Sequence, residues 1–228
     1  MENKSKITGP IFTARSLDEY IKMFDLDLDD LKNKNILDCA AGASSFTANM
    51  TQKGFDVKAV DLLYDKEPQF LKKKCENHLK ILIESLSKIE NHFKWDFFKN
   101  LNELKEHRIQ AQNEFFDDYK KFRNIKYIKS NLNSLPFNDN SFSLILCSHL
   151  LFIYDHRLSY NFHINVIEEM IRVSNEIRIY PLVKHKKKKS EFLIQIMDYL
   201  RKVADFEIVE VNYEFRKGGN EMLKITKQ

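Results

Sequence analysis

Glycine, proline and cysteine are scarce in this chain of 228 residues, which has 5 glycines, 4 prolines and 3 cysteines. We find no repeat and no flexible linker, and the length suits one globular domain spanning residues 1–228. The cysteines, Cys39, Cys75 and Cys147, are widely separated and show neither metal nor disulfide spacing. The sequence therefore predicts a protein of a reduced, cytoplasmic environment that binds no metal.

Long apolar runs and a strong excess of one charge are also absent. The longest uncharged apolar stretch, residues 141–154, contains serine and histidine and is too short to span a bilayer. Residues 1–11 are polar and lack the apolar core of a secretory signal. A net charge of +4 is too mild to indicate nucleic acid by itself. We expect no membrane association and no nucleic-acid partner.

The chain does contain an alternation of strand and helix patterns. An apolar run at residues 35–40 ends in small residues, a helical pattern covers 46–53, Gly54 follows as a helix-ending residue, and 55–61 forms a second strand pattern. Further strand patterns lie at 126–131, 141–148, 176–180, 206–215 and 221–226, with helical patterns at 162–173 and 190–203. The order predicts a Rossmann-like, doubly wound, mostly parallel α/β sheet of seven strands that ends in an antiparallel hairpin at residues 217–220.

Residues 65–124 depart from this alternation. Apolar residues recur there at helical spacing over 71–93 and again over 101–122. A crossover between parallel strands needs only one helix of about a dozen residues, so roughly 40 residues are surplus. We predict a helical insertion within the domain. Its aromatic residues suit either a hydrophobic core or a lid over a substrate pocket.

Open parallel sheets bind ligands beyond the carboxyl ends of their strands, so the first strand-to-helix turn is the candidate site. It reads Asp-Cys-Ala-Ala-Gly-Ala-Ser at residues 38–44, and its small side chains would allow a ligand close to the backbone. Asp61 lies 19 residues beyond Gly42, where a carboxylate can bind ribose hydroxyls. Ala40 and Ser44 occupy two glycine positions of the dinucleotide motif. The turn therefore indicates a nucleoside cofactor rather than a pyrophosphate.

At these residues the chain resembles the class I S-adenosylmethionine-dependent methyltransferases. Their first motif, Asp-x-Gly-x-Gly-x-Gly after an apolar strand, is matched at 38–44 with only the middle glycine kept. Their segment Asp-x-x-x-Leu-Pro-Phe-x-Asp-x-Ser-Phe-Asp is matched by Asn-Leu-Asn-Ser-Leu-Pro-Phe-Asn-Asp-Asn-Ser-Phe-Ser at 131–143. The resemblance covers roughly residues 35–183 apart from the insertion.

The resemblance implies S-adenosylmethionine as the cofactor. Asp61 would bind its ribose, and Asn131 replaces the aspartate that usually accepts from the adenine amino group, which its amide oxygen could still do. Arg15 and Tyr20 precede the first strand, where they would either meet the cofactor carboxylate or lie on the surface. The full set of expected cofactor contacts is Arg15, Tyr20, Asp38, Ala40, Ala41, Gly42, Ser44, Asp61, Leu62, Asn131, Leu132 and Ser148.

The implied reaction is in-line transfer of a methyl group to a nucleophile, for which alignment matters more than a base. His149, after the fourth strand, is the candidate catalytic base; the alternative is a histidine packed at the strand end. Ser148 or His149 would face the acceptor.

The acceptor is expected to be a small molecule. No Pro-Pro-Tyr or Pro-Pro-Phe follows Asn or Asp, and there is no Pro-Cys pair, which disfavours the amino-directed and the cytosine C5 enzymes. The lysine-rich run at 184–189 suits a solvated loop, which could still attract an anionic substrate. The alternatives are a nucleic-acid methyltransferase and a catalytically silent methyltransferase-like binding protein. The oligomeric state stays open, with a dimer among the options.

Overall fold

The computed structural model describes residues 9–184 and 189–228, and within these ranges a single sheet contains seven strands. The strands are β1 Asn35–Cys39, β2 Asp56–Asp61, β3 Tyr127–Lys129, β4 Phe142–Ser148, β5 Ser174–Tyr180, β6 Ala204–Glu210 and β7 Glu221–Lys227. Their order is β3-β2-β1-β4-β5-β7-β6, and only β7 runs antiparallel to both of its neighbours. The predicted Rossmann-like, mostly parallel sheet with an antiparallel end is confirmed.

Helices cover the sheet. They are α1 Leu17–Met23, α2 Phe46–Gln52, α3 Pro68–Leu86, α4 Leu101–Phe122, α5 Tyr160–Val173 and α6 Phe192–Leu200. The central strands β1 and β4 are almost entirely buried, which explains their near-continuous apolar sequence. Gly54 has φ +90° just after α2, a backbone conformation that favours glycine.

The connection between β6 and β7 differs from the predicted tight hairpin. The strand prediction extended to residue 215, but β6 ends at Glu210 and residues 211–220 leave the sheet. Phe215 instead stacks on Phe93 at 4.8 Å between ring centroids, and its carbonyl accepts from the backbone N–H of Lys94 at 2.8 Å. Burial of these aromatic rings draws the segment away from the sheet and onto the polypeptide between α3 and α4.

The two helices of residues 65–124 have different packing partners. The carboxyl-terminal half of α4 buries Phe115 and Tyr119 against Tyr127 of β3, so α4 serves as the crossover helix that the sheet requires. The chain from α3 to a 3₁₀ turn at Glu90–His92 is the surplus part, and it forms a smaller cluster with Leu86, Phe93 and Phe215. The description of the chain as a single domain with an insertion stays a prediction.

Two further sequence features concern the surface. Within the described ranges, no helix has the length and apolar character needed to cross a membrane. The lysine-rich run at 184–189 falls mostly at residues 185–188, outside the described residues, so its interpretation stays a prediction.

Candidate functional site

A cavity of about 620 Å³ lies at the carboxyl ends of β1 to β4. The strand ends supply its floor through four short segments, residues 40–42, 61–63, 130–132 and 148–150. Further wall residues come from residues 9–15, α1, α3, α4, the segment after β4 and the loop between β6 and β7. This is the position at which open α/β sheets bind ligands.

The turn after β1 is held in a left-handed conformation at two residues. Ala40 has φ +53° and Gly42 has φ +59°. The hydroxyl of Tyr64 donates to the Gly42 carbonyl at 2.7 Å, and Asp61 Oδ2 accepts from the Gly42 N–H at 3.1 Å. An L-residue in this region costs roughly 1–2 kcal/mol, so Ala40 carries strain where the family motif has glycine.

Asp61 ends β2 at the cavity wall. Besides the contact with Gly42, its Oδ1 accepts from the N–H of Leu63 at 2.9 Å. Burial raises the pKa of this carboxyl, which the two backbone N–H groups partly offset. A carboxylate has about four acceptor positions, so two remain for hydroxyl groups in the cavity. Leu62 lies beside it at the cavity wall and is 59% exposed.

Asp38 and Ser44 lie behind the turn rather than at the cavity wall. Asp38 is fully buried; its Oδ1 accepts from the Tyr20 hydroxyl at 3.1 Å, and its Oδ2 has no hydrogen-bond partner. Burial, reinforced by the charge of Asp61, raises the pKa of Asp38 well above its usual range. Ser44 donates to the Arg15 carbonyl at 3.3 Å and accepts from the N–H of Phe46 at 3.1 Å. These two residues shape the turn from behind.

Tyr20 and Arg15 both reach the cavity wall. Tyr20 stacks on Phe46 at 4.6 Å between ring centroids and is fully buried, so its hydroxyl is fixed at Asp38. Arg15 forms an ion pair with Glu19 at 3.3 Å, and its side chain is 16% exposed. Neither residue lies on the open surface.

The segment after β3 divides into two parts. Asn131 and Leu132 line the cavity, and Asn131 Oδ1 accepts from the N–H of Asn133 at 3.2 Å. The Leu-Pro-Phe part faces the core, where Leu135 is buried and its N–H donates to Glu169 Oε1 at 2.6 Å. Arg172 on α5 donates to the carbonyls of Leu135 and Phe137. This most specific stretch of the family resemblance thus shapes a turn, and only its first two residues reach the cavity.

His149 follows β4 with φ +55°, and its ring lies at the cavity wall. The backbone N–H of His149 donates to the Tyr180 carbonyl at 2.6 Å, and the ring Nδ1 lies 2.8 Å from Ser148 Oγ. Burial lowers the pKa of this imidazole well below its usual value, and the guanidinium groups of Arg15, Arg108 and Arg216 lower it further. The imidazole is therefore neutral near pH 7.

A buried ion pair connects α1 and α4 beside the cavity. Both terminal nitrogens of Arg108 donate to the carboxylate of Glu19, one of them at 2.7 Å. The Tyr213 hydroxyl donates to the same carboxylate at 2.7 Å, and Arg15 Nη1 lies 3.3 Å from it. Although burial by itself raises the pKa of Glu19, the charge of Arg108 and its hydrogen bonds lower it to about 2.

Residues 9–12 form the roof of the cavity and are held there by three hydrogen bonds. The N–H of Ile11 donates to the Tyr154 hydroxyl at 3.2 Å, and the N–H of Phe12 donates to His78 Nδ1 at 2.9 Å. Arg157 donates to the Gly9 carbonyl at 2.9 Å. The N-terminal segment is therefore held over the cavity from both α3 and the segment after β4.

The sequence did not single out Arg108 or Arg216 as cavity residues. Arg108 had a signal, because it lies on the apolar stripe of α4 with Leu104, Ala111 and Phe115. Arg216 had none, since it lies in a loop whose path depends on aromatic packing against residues from the insertion.

Comparisons with known proteins find a family model and a relative that match this chain. A family model described as "Methyltransferase domain" matches residues 82–175. The chain is 37% identical over 216 residues to the uncharacterized protein MJ0045 from Methanocaldococcus jannaschii, a match that covers 94% of this chain and 95% of that protein.

Two solved structures are similar to this chain. Magnesium protoporphyrin IX methyltransferase from Synechocystis PCC 6803, crystallised with bound S-adenosylhomocysteine, has a TM-score of 0.50 at 10% identity, covering 93% of this chain and 82% of that one. A TehB-like S-adenosylmethionine-dependent methyltransferase from Corynebacterium glutamicum has a TM-score of 0.48 at 14% identity, covering 88% of this chain and 85% of that one. The first of these matches shows the fold.

Proposed function

Because the chain belongs to the class I S-adenosylmethionine-dependent methyltransferases, we propose that it transfers the methyl group of this cofactor to a small-molecule acceptor held in the cavity described above. The observation that carries the proposal is the shape of that cavity. Its volume of about 620 Å³ lies in the range of small-molecule sites, and residues 9–13 and α3 cover it. A covered cavity suits a compact acceptor better than a polymer.

The residues at the strand ends suit the cofactor. Asp61 keeps two acceptor positions free for ribose hydroxyls, and Gly42 and Ala40 keep the turn narrow beside it. Asp38 supports the turn from behind, where it accepts from the Tyr20 hydroxyl. Asn131 and Leu132 would flank the adenine. When bound, S-adenosylmethionine supplies an activated methyl group on a sulfonium and departs as a neutral thioether.

The protein's own contribution would be alignment and exclusion of water. The cavity residues would hold the acceptor's nucleophilic atom in line with the methyl group and keep water out of the space between them. Correct alignment of two reactants can be worth roughly 7–11 kcal/mol. Tyr154, His78 and Arg157 hold the roof closed and so support a dry cavity.

His149 would interact with the acceptor as a neutral hydrogen-bond partner. If Nδ1 donates to Ser148 Oγ, Nε2 is left as an acceptor for an O–H or N–H of the substrate. Because burial and, to a smaller degree, three guanidinium groups disfavour the imidazolium, we expect His149 to orient the acceptor more than to store its proton.

The test follows the methyl group. The purified chain is incubated with methyl-labelled S-adenosylmethionine and an extract of the cells in which its gene is found, separated into low-mass metabolites, nucleic acids and proteins. Label that enters the low-mass fraction supports the proposal. Label in nucleic acid would establish the polymer alternative. S-adenosylhomocysteine binding by calorimetry without transfer to any fraction would support the silent binding protein.

A further inference from the structure

The wall of the cavity carries many positive charges and few negative ones. Among the described residues that line it, one has a carboxylate, Asp61. Five are basic: Arg15, Lys74, Arg108, Arg157 and Arg216. A cavity of this kind attracts anions.

Internal ion pairs account for only part of this charge. Arg15 and Arg108 share one carboxylate, that of Glu19. Arg157 is exposed and donates to a backbone carbonyl. Arg216 likewise has no carboxylate partner in the described part of the chain, but unlike Arg157 it is half-buried. Its guanidinium lies over the ring of Phe93 at 5.3 Å from the centroid.

Arg216 is held in place without being neutralised. Its backbone carbonyl accepts from the N–H of Gly219 at 2.8 Å, and a Cβ at Gly219 would lie 2.9 Å from that carbonyl oxygen. The neighbouring Phe215 is stacked on Phe93. Burial lowers the pKa of this guanidinium, an effect that a bound anion would reverse.

The part of the wall that contains Phe93 is apolar. Leu86, Phe93, Leu104 and Phe215 line the same cavity and belong to the cluster that the insertion forms with the loop between β6 and β7. This part of the wall therefore offers a cation next to an apolar surface.

On the basis of the proposed function, we infer that the methyl acceptor is an apolar molecule that carries an oxyanion, either a carboxylate or a phosphate. Arg216 binds the oxyanion, and Phe93, Phe215 and Leu86 contact the apolar body of the acceptor. The charge balance agrees, since S-adenosylmethionine carries a net positive charge through its sulfonium and ammonium groups. An anionic acceptor would offset this charge in a cavity that is already cationic. Arg15 remains for the cofactor's carboxylate.

Calorimetry on the full chain saturated with S-adenosylhomocysteine tests this inference. The carboxylate probe is 3-phenylpropanoate, with 3-phenylpropanamide as its neutral counterpart and acetate as the anion without an apolar body. Phenyl phosphate and phenol form the phosphate arm. We expect at least one of the two aromatic anions to bind at least about tenfold more tightly than its neutral counterpart. The arm with the larger preference identifies the oxyanion.

Three variants make the result specific. Arg216→Gln should abolish the preference for the anion without changing S-adenosylhomocysteine affinity, Arg216→Lys should keep part of it, and Arg201→Gln, at an exposed arginine after α6, should behave like the wild type. Four outcomes would overturn the inference. In the wild type, these are equal affinity for anion and neutral probe, no heat with either aromatic anion at millimolar concentration, and acetate binding as tightly as 3-phenylpropanoate. The fourth is a preference for the anion that survives in Arg216→Gln. A parallel loss of S-adenosylhomocysteine affinity in Arg216→Gln would also overturn the inference, by assigning the residue to the cofactor.

The same titrations separate this inference from the proposed function. If the wild type fails to bind S-adenosylhomocysteine, the proposed function is wrong and the inference fails with it. If S-adenosylhomocysteine binds but the anion has no advantage, only the inference is wrong.

Discussion

Glu19 on α1 and Arg108 on α4 form a bidentate ion pair that is fully buried beside the cavity. The pair connects the N-terminal helix to the helix that crosses from β2 to β3, and the Tyr213 hydroxyl adds the loop after β6 to the same carboxylate. Three segments that surround the cavity therefore depend on a single side chain. Removing one partner of such a pair leaves the other charge buried without compensation.

Replacing Glu19 with glutamine should destabilise the fold. We expect Glu19→Gln to lower the free energy of unfolding by about 3–5 kcal/mol, because Arg108 would lose its counter-ion while remaining buried. Chemical denaturation at pH 7 measures the change. Glu106→Gln, at an exposed position on α4, the helix of Arg108, is the control and should cost less than about 0.5 kcal/mol of stability. Equal small effects of both substitutions would contradict the assignment.

The same pair should give the protein an acid-sensitive stability. The pKa of Glu19 is about 2 in the folded protein against an ordinary 4.5, so the unfolded chain takes up the proton first as the pH falls. The contribution of Glu19 is therefore complete above about pH 4.5 and is lost between pH 4.5 and 2. Denaturation midpoints measured across this range should fall more steeply in the wild type than in Glu19→Gln. Parallel curves would show that Glu19 is not the titrating group.

Asp61 should control the affinity for the cofactor product. We expect Asp61→Ala to weaken S-adenosylhomocysteine binding at least about 100-fold, because two hydrogen bonds to a charged acceptor, each worth about 1.5–3 kcal/mol, would be lost. The N–H groups of Gly42 and Leu63 would also lose their acceptor. Calorimetry measures the affinity, and Asp56→Ala, at the exposed start of the same strand, should leave it unchanged. Unchanged binding in Asp61→Ala would rule out the ribose role.

Ala40 offers a test of backbone strain at the first motif. Ala40 has φ +53°, which is unfavourable for alanine, so Ala40→Gly relieves this strain. We therefore expect the free energy of unfolding to fall by less than about 0.5 kcal/mol or to rise. The same substitution at Ala48, inside α2, should cost about 1 kcal/mol or more, since glycine is unfavourable in a helix. Urea denaturation of the two variants provides the comparison, and a similar cost at both positions would contradict the strain.

The sequence predicted the sheet well because its strands carry their own signals. Buried strands such as β4 are nearly continuous apolar runs, and the turn after β1 has small residues that allow a close approach to the backbone. Ser16 and Glu19 form a capping box at the start of α1, with each side chain bonded to the other's backbone N–H. That local role, however, concealed the second role of Glu19 as the partner of Arg108.

Contacts between distant segments could not be predicted. Phe93 and Phe215 are more than a hundred residues apart, and their stacking determines where the loop after β6 runs and thus where Arg216 lies. Nothing in the local pattern of that loop indicates a cavity wall. The roof contacts of Ile11 with Tyr154 and of Phe12 with His78 likewise depend on tertiary packing.

His149 should remain neutral where an ordinary histidine titrates. Because burial and three guanidinium groups lower its pKa well below 6.5, the unfolded state binds a proton that the folded state does not. The stability that depends on His149 is therefore present above about pH 6.5 and is lost as the pH falls below it. His149→Gln should lose less stability than the wild type between pH 7.5 and 5.5, because glutamine cannot take up the proton in the unfolded state. Each unit of difference between the folded and unfolded pKa of His149 is worth ~1.4 kcal/mol of stability. Histidine-selective NMR across this range, with His149 assigned from the variant's missing signal, checks the same property, and a midpoint near 6.5 for that signal would show that the imidazole is free to act as a proton store.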